Sequence, residues 1–182
     1  MESFWLSWIA AAGWSRPTDK RVNVKSQITY RLLMLGGAAL LLVPAHGYAG
    51  PLRLWLVTRR EGWVCTGLIL WGLGFSWWAR IHLGDLWSGR ITKKSEHRVI
   101  DSGPYAIVRH PIYTGLLLAV YATAVAKGTV PGVLGALVVT IGVWMKARVE
   151  EVWLRNELTE DAYASYARRV PMLIPLGPKG DR

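Results

Sequence analysis

Residues 97–115 have the sequence HRVIDSGPYAIVRHPIYTG, in which two histidines, two arginines and two tyrosines lead into an apolar helix. Pro111 has no backbone N–H and fits the first helical position, so we predict His110 at the N-cap and Arg109 just before it. Unpaired N–H groups and the positive end of the helix dipole would then face the same place as a guanidinium and an imidazole. The sequence therefore predicts an anion site for a cofactor that carries a carboxylate or a phosphate.

The composition indicates an integral membrane protein. Of 182 residues, 52% are hydrophobic and eleven are Trp, which is too apolar for an ordinary soluble domain. Four apolar segments flanked by charged or turn residues are predicted to span the membrane: residues 28–43, 63–78, 112–126 and 130–145. Gly67, Gly72 and Gly74 lie within the second span, where close helix packing explains them better than a dinucleotide-binding loop does.

The predicted fold is all-α, a polytopic membrane bundle of four to five transmembrane helices with a cofactor-binding loop and a C-terminal helical tail. Residues 4–14 are the weaker fifth span, and residues 1–27 are expected to form an interfacial or partly inserted segment. We expect one domain over residues 1–182, with the cofactor-binding catalytic half in residues 80–182. Cys65 is the single cysteine and lies inside a span, so no disulfide framework is expected. The N-terminus does not resemble a removable signal peptide.

The net charge of +10 would suggest nucleic acid for a soluble protein, but its distribution indicates membrane topology instead. With four spans, 18 of the 22 Lys and Arg residues fall on one side, and the other side has only Arg53, Arg59, Arg60 and Lys127. This is the positive-inside pattern, which places the 97–115 segment and the tail in the cytoplasm together. We expect no nucleic-acid partner. The expected location is the cytoplasmic (inner) membrane of a bacterium or archaeon, with the active site on its cytoplasmic face.

Two further cytoplasmic elements are predicted to meet the 97–115 segment. Residues 144–158 contain neither Gly nor Pro, so the last span should continue into the cytoplasm and place Arg148, Glu151 and Arg155 in a charged stripe on one face. A short helix over residues 160–169 should place Tyr163 and Tyr166 one turn apart. Anion binders, carboxylates and aromatic faces are the groups that S-adenosylmethionine needs, because it has an amino-acid end, a cationic sulfonium and an adenine ring.

The chain resembles the isoprenylcysteine carboxyl methyltransferase and phospholipid methyltransferase group of integral membrane enzymes. The resemblance covers about the C-terminal half and consists of ordered, spaced motifs: His97, Gly103-Pro104-Tyr105, Arg109-His110-Pro111, Tyr113, Gly115, Glu150-Glu151, Leu154, Tyr163, Tyr166 and Arg169-Val170-Pro171. Leu83-Gly84 and Trp87-Ser88 also resemble the approach to the histidine. The chain departs from the pattern at Thr159-Glu160, where Phe-Gly is common, and at Val99, where Leu is usual.

The resemblance implies a methyltransferase that binds S-adenosylmethionine on the cytoplasmic side and receives a lipophilic or lipidated acceptor from the bilayer. Isoprenylcysteine carboxyl O-methylation is the reaction it most resembles. The residues implied to contact the cofactor are His97, Val99, Ile100, Gly103, Tyr105, Arg109, His110, Pro111, Tyr113 and Glu150. Those implied to act in catalysis are Glu150, Glu151, Arg148 and Arg169, and no metal is expected.

Specific roles follow from the chemistry of these groups. Arg109, His110 and His97 would hold the charged end of the cofactor, and Tyr105 and Tyr113 would line its sulfonium or ring. One of the two glutamates would bind the cofactor's ammonium, while Arg148 or Arg169 orients an anionic group of the acceptor.

Several alternatives stay open at this point. The acceptor could be a lipid amine, a phenolic lipid or a thiol, each of which would need deprotonation by Glu150 or Glu151. A carboxylate acceptor needs no general base. A non-enzymatic membrane scaffold with the same fold is the alternative from another functional class, and the oligomeric state is open.

Overall fold

The computed structural model of the chain describes residues 24–44, 52–83, 99–157 and 160–180. These residues form six helices and no strand: α1 (Val24–Leu42), α2 (Arg59–Leu83), α3 (Pro104–Ile107), α4 (Pro111–Lys127), α5 (Val130–Glu157) and α6 (Glu160–Arg169). Helix α1 packs along α5, α2 packs along α4, and α4 and α5 also contact each other. The all-α membrane bundle predicted from the sequence is confirmed.

The helices differ in their capacity to cross a bilayer. Helices α2 and α5, of 25 and 28 residues, contain segments long and apolar enough to span a membrane. At about 1.5 Å per residue, each exceeds a hydrocarbon core about 30 Å thick. Helices α1 and α4 are shorter apolar helices, so two of the four predicted spans meet the length criterion and two fall just below it. The possible span at residues 4–14 lies outside the described residues.

The outward faces of the long helices are apolar, as expected for contact with lipid. Exposed side chains include Leu70 and Trp71 on α2 and Leu137 and Ile141 on α5. A soluble monomer rarely exposes so many large apolar residues in contiguous patches. These exposed apolar faces, with the two long apolar helices, indicate a membrane protein, and we term them the lipid-facing surface.

Small residues allow α2 and α4 to approach closely. A Cβ atom added to Gly72 would lie 2.5 Å from the carbonyl oxygen of Gly115, so the two helices touch through their backbones here. One turn along, the Ser76 hydroxyl donates a hydrogen bond of 2.9 Å to the carbonyl of Ile112. The packing explanation is confirmed for Gly72, whereas Gly67 and Gly74 have no atom within 4 Å of an added Cβ.

A tight turn joins α4 to α5, as the Gly and Pro residues there predict. Gly128 has a φ of 58°, in the left-handed region that favours glycine, and its N–H donates to the Ala124 carbonyl to close α4. The N–H groups of Leu54 and Trp55 both donate to the Gly128 carbonyl, which docks the segment before α2 onto this turn. Helices α4 and α5 are therefore antiparallel neighbours, and residues 99–115 lie at the opposite end of α4 from this turn.

Candidate active site

The boundary of α4 lies where the sequence predicts it. His110 is the N-cap residue and Pro111 occupies the first turn. The His110 side chain makes no capping hydrogen bond to the helix. Its imidazole is therefore available for contacts with other elements, and the predicted anion site is not built from a side-chain cap.

Arg109 forms a buried clasp between α5 and the tail. Its Nε and Nη2 atoms both lie 2.7 Å from Oε1 of Glu151, and each side chain is only 5% exposed. Its Nη1 atom donates to the carbonyls of Ala167 at 2.8 Å and Val170 at 3.0 Å. These contacts occupy most of the guanidinium donors, so Arg109 joins three parts of the fold rather than presenting an open cation.

The backbone beside this clasp is tied to the tail as well. The chain after α6 runs past the start of α4, and successive tail carbonyls accept hydrogen bonds from it. The three bonds are Arg109 N–H to Pro171 O at 2.8 Å, His110 N–H to Met172 O at 3.1 Å, and Thr114 Oγ1 to Leu173 O at 2.6 Å. The two N–H groups just before α4 are therefore used by the tail.

His110 lies between the two glutamates of α5. Its Nδ1 atom is 3.6 Å from Oε2 of Glu150, and its Nε2 atom is 3.5 Å from Oε1 of Glu151. The ring stacks on that of Tyr113, with centroids 5.6 Å apart and planes 13° from parallel. Nε2 is buried without a hydrogen bond to the described residues, because its distance to Glu151 is long for one. A polar group of a ligand could complete this site.

Glu150 is the accessible carboxylate of the pair. Its side chain is 41% exposed, whereas that of Glu151 is 5% exposed. The Tyr113 hydroxyl donates a hydrogen bond of 2.6 Å to Oε1 of Glu150. Lys146, one turn earlier on α5, has its Nζ 3.9 Å from the same oxygen and 5.0 Å from the Tyr113 ring centroid. The arrangement presents one oriented carboxylate beside two stacked rings and an ammonium.

Two tail tyrosines form the wall behind Glu151. Tyr166 is buried and its hydroxyl donates to the Tyr105 carbonyl at 2.7 Å. Tyr163 is also buried, and its hydroxyl has no hydrogen bond to the described residues. Burial, reinforced by the charge of Glu151, raises the pKa of Tyr163 above its usual value, so the phenol stays protonated and can donate. The Tyr163 hydroxyl is therefore a second buried polar atom at this site, and it lies near Glu151.

The loop before α3 is held by a histidine that the sequence interpretation missed. His82, at the end of α2, stacks on Tyr105 with a centroid distance of 6.4 Å, and its Nε2 lies 3.0 Å from Oγ of Ser102. Gly103 has a φ of 57°, and a Cβ there would lie 2.8 Å from the His82 ring. Glycine suits position 103 for two reasons: the backbone is in the left-handed region, and a side chain would collide with the His82 ring.

The remaining predicted residues differ in burial and in their contacts. Val99 packs against the buried tail cluster, and Ile100 is half-buried beside it. Arg169 is exposed and pairs with Asp101 at 3.1 Å, which links α6 to the loop. Arg148 is exposed with its guanidinium 5.9 Å from the Trp144 ring, so it does not join Glu151 in the predicted stripe. His97 lies outside the described residues.

Sequence reasoning missed His82 and Lys146 for different reasons. Lys146 had a usable signal, since it lies four residues before Glu150 and such pairs meet on a helix surface. His82 had none, because its partners are twenty or more residues away in the chain.

Comparison with known proteins gives the family. Residues 61–161 match the model of the phospholipid methyltransferase family. The chain belongs to this family. The matched region includes most of α2, the loop, α4 and both glutamates of α5, and the resemblance predicted from the sequence motifs is confirmed. No solved structure matches the chain.

Three curated relatives are similar over part of the chain. A methanethiol S-methyltransferase of a Pseudomonas species is 36% identical over 91 residues, which are 50% of this chain and 33% of the relative. The protein-S-isoprenylcysteine O-methyltransferase of Schizosaccharomyces pombe is 30% identical over 124 residues, 66% of this chain and 50% of the relative. Methanethiol S-methyltransferase 1 of Bradyrhizobium diazoefficiens is 42% identical over 71 residues, 39% of this chain and 24% of the relative. The chain spans half or less of the length of each of these relatives.

Proposed function

We propose that this chain is a membrane methyltransferase that uses S-adenosylmethionine and methylates a lipophilic acceptor from the bilayer. The observation that carries the proposal is the half-exposed carboxylate of Glu150, which a hydrogen bond from Tyr113 holds beside His110 at the end of the membrane helices. The family match and the names of the relatives support the reaction class. The basic residues near this end of the bundle, including Arg148 and Arg168, support a site on the cytoplasmic face of a bacterial or archaeal inner membrane.

The residues at the site fit the groups of S-adenosylmethionine. Glu150 suits the ammonium, and the buried Nε2 of His110 and hydroxyl of Tyr163 are polar atoms without partners in the described structure. The rings of Tyr113 and Tyr105 suit a cationic or planar group. When bound, the cofactor supplies an electrophilic methyl group.

The two glutamates have different parts in this proposal. Glu151 is buried and held by Arg109, so it positions the clasp and the His110 ring. Glu150 is the carboxylate that a ligand reaches. Arg109 is then a positioning residue. The sequence predicts that it contacts the cofactor directly, but we assign the direct contacts to Glu150, His110 and Tyr113.

The proposed acceptor is a carboxylate of the isoprenylcysteine type, with a lipophilic thiol as the second candidate. One relative is named for the first chemistry and two for the second. A carboxylate attacks without losing a proton, so the site has only to align it and exclude water. A thiol must lose a proton, and Glu150 could accept it only if another group binds the cofactor's ammonium.

The test uses the purified protein in lipid nanodiscs. Calorimetry measures S-adenosylhomocysteine binding, and methyl-labelled S-adenosylmethionine is offered with a farnesylated cysteine, an alkyl thiol or phosphatidylethanolamine. Glu150→Gln should weaken S-adenosylhomocysteine binding about ten- to one-hundred-fold, as expected for loss of a charged hydrogen bond of about 1.5–3 kcal/mol. Glu61→Gln is the matched control, because Glu61 lies at the start of α2, away from the candidate site.

Different results would overturn different parts of the proposal. No binding of S-adenosylhomocysteine to the folded protein would favour a scaffold without methyltransferase activity. Equal affinity in the Glu150→Gln and Glu61→Gln variants would remove Glu150 from the site. Labelling of phosphatidylethanolamine alone would replace the proposed carboxylate or thiol acceptor with an amine.

A further inference from the structure

The tail after α6 contains an exposed apolar loop. Residues 171–176, which we term the apolar tail loop, have the sequence PMLIPL. Ile174 is 68% exposed and Leu176 is fully exposed. Each buried apolar Å² contributes about 25 cal/mol, so two large aliphatic side chains held outward imply an apolar environment that covers them.

Most carbonyls of the apolar tail loop accept hydrogen bonds from within the chain. Four successive carbonyls, those of residues 171–174, accept hydrogen bonds from within the chain, the last from Gly177 N–H at 2.9 Å. Pro171 and Pro175 have no N–H to satisfy. Unsatisfied backbone groups cost several kcal/mol in hydrocarbon, so the pairing of these carbonyls lowers the cost of bringing the loop close to lipid. The remaining N–H groups of the loop suit the headgroup boundary, where lipid oxygens accept hydrogen bonds.

A contact to α4 places the loop at one end of the bundle. The hydrogen bond from Thr114 to the carbonyl of Leu173 places the loop beside the first turn of this apolar helix. The same end of the bundle exposes Ile81 of α2 and Ile107 of α3. The loop thus lies level with the edge of the lipid-facing surface and continues it.

The backbone of Leu176 has an unfavourable conformation. Its φ of 62° lies in the left-handed region, and it is the one non-glycine residue with positive φ in the described part of the chain. This conformation costs an L-residue about 1–2 kcal/mol. This strained backbone points the apolar side chain of Leu176 fully outward, and contact with water would not offset the cost of the strain. Exposed Arg168 precedes the loop in sequence and suits an anionic lipid headgroup.

We propose that the apolar tail loop is a bilayer contact, in which Ile174 and Leu176 insert among the lipid chains at the headgroup boundary. Because residues 171–173 are bonded to residues 109–114, this contact would also hold the tail against the candidate site. The proposal concerns the membrane rather than the acceptor, so it stands whatever the protein methylates.

Spin labels test the proposal directly. In a Cys65→Ser background, which removes the single native cysteine, a nitroxide is attached to Leu176→Cys in phospholipid vesicles without an acceptor. Collision rates are measured with oxygen, which concentrates in lipid, and with a water-soluble nickel chelate. Ile141→Cys on the exposed face of α5 gives the lipid reference, and Lys179→Cys gives the aqueous reference within the same tail.

The expected ratio of oxygen to nickel collisions at Leu176 is several-fold higher than at Lys179 and approaches that at Ile141. A ratio equal to that at Lys179 would show that the loop lies in water and would overturn the proposal. Low collision rates with both reagents would show that protein covers the loop, including a second copy of the chain, and would overturn it equally. Ile174→Cys repeats the measurement if the Leu176→Cys protein does not fold.

Discussion

The buried Arg109 clasp allows a sharp stability prediction. Arg109→Met keeps most of the side-chain volume but leaves the Glu151 carboxylate buried at 5% exposure without its cation. It also removes the donor to the Ala167 and Val170 carbonyls. Breaking a buried ion pair from one side costs about 3–5 kcal/mol, so we expect the free energy of unfolding to fall by that amount.

The double variant Arg109→Met/Glu151→Leu separates the lost attraction from the stranded charge. Replacing both partners with apolar groups removes the buried carboxylate, and such replacements are often close to neutral. The two tail carbonyls still lack a donor, so recovery is partial. We expect the two changes to be non-additive by about 2–3 kcal/mol.

Unfolding in mixed micelles by a denaturing detergent, followed by tryptophan fluorescence, measures these differences. Arg148→Met is the matched control, because it removes an exposed arginine from the same face of the membrane and should cost about 1 kcal/mol or less. The reasoning is refuted if Arg109→Met is as stable as Arg148→Met but no longer binds S-adenosylhomocysteine. Arg109 would then contact the cofactor directly, as the sequence alone suggested.

Three smaller perturbations test the packing around the site by the same unfolding measurement. Tyr166→Phe leaves the buried carbonyl of Tyr105 without its donor and should cost about 1–3 kcal/mol; no loss would contradict the bond. Asp101→Asn breaks an exposed ion pair and should change stability by less than about 1 kcal/mol. A larger loss would contradict the solvent exposure of this pair in the structure. Gly72→Val places a side chain against the backbone of α4 and should cost about 1–3 kcal/mol, whereas Gly74→Val, which faces open space, should be close to neutral.

Local chemistry explains which features the sequence could predict. The start of α4 follows from the missing N–H of Pro111, and the end of α4 follows from Gly128 and the turn residues around it. The length of α5 follows from the absence of Gly and Pro between residues 144 and 158. Each of these signals lies within a few residues of its consequence.

The different environments of Glu150 and Glu151 could not be predicted in the same way. Neighbouring residues on a helix point about 100° apart, so one can face the bundle while the other faces outward. A helix that is apolar on all sides gives no periodic pattern from which to judge its rotation. Only the packing of α5 against the tail decides that Glu151 is the buried partner of Arg109.

The tail illustrates a further limit, because it is bound largely through its backbone. Carbonyls at residues 167, 170, 171, 172 and 173 accept hydrogen bonds from Arg109, His110 and Thr114. Every residue type has a backbone carbonyl, so these hydrogen bonds place little constraint on which residues occupy the tail positions. The informative side chains are instead those that reach across, above all Arg109. Its place in the motif therefore indicates how the site is assembled. Glu150 is the carboxylate that this assembly leaves accessible to a ligand, with the buried Nε2 atom of His110 beside it.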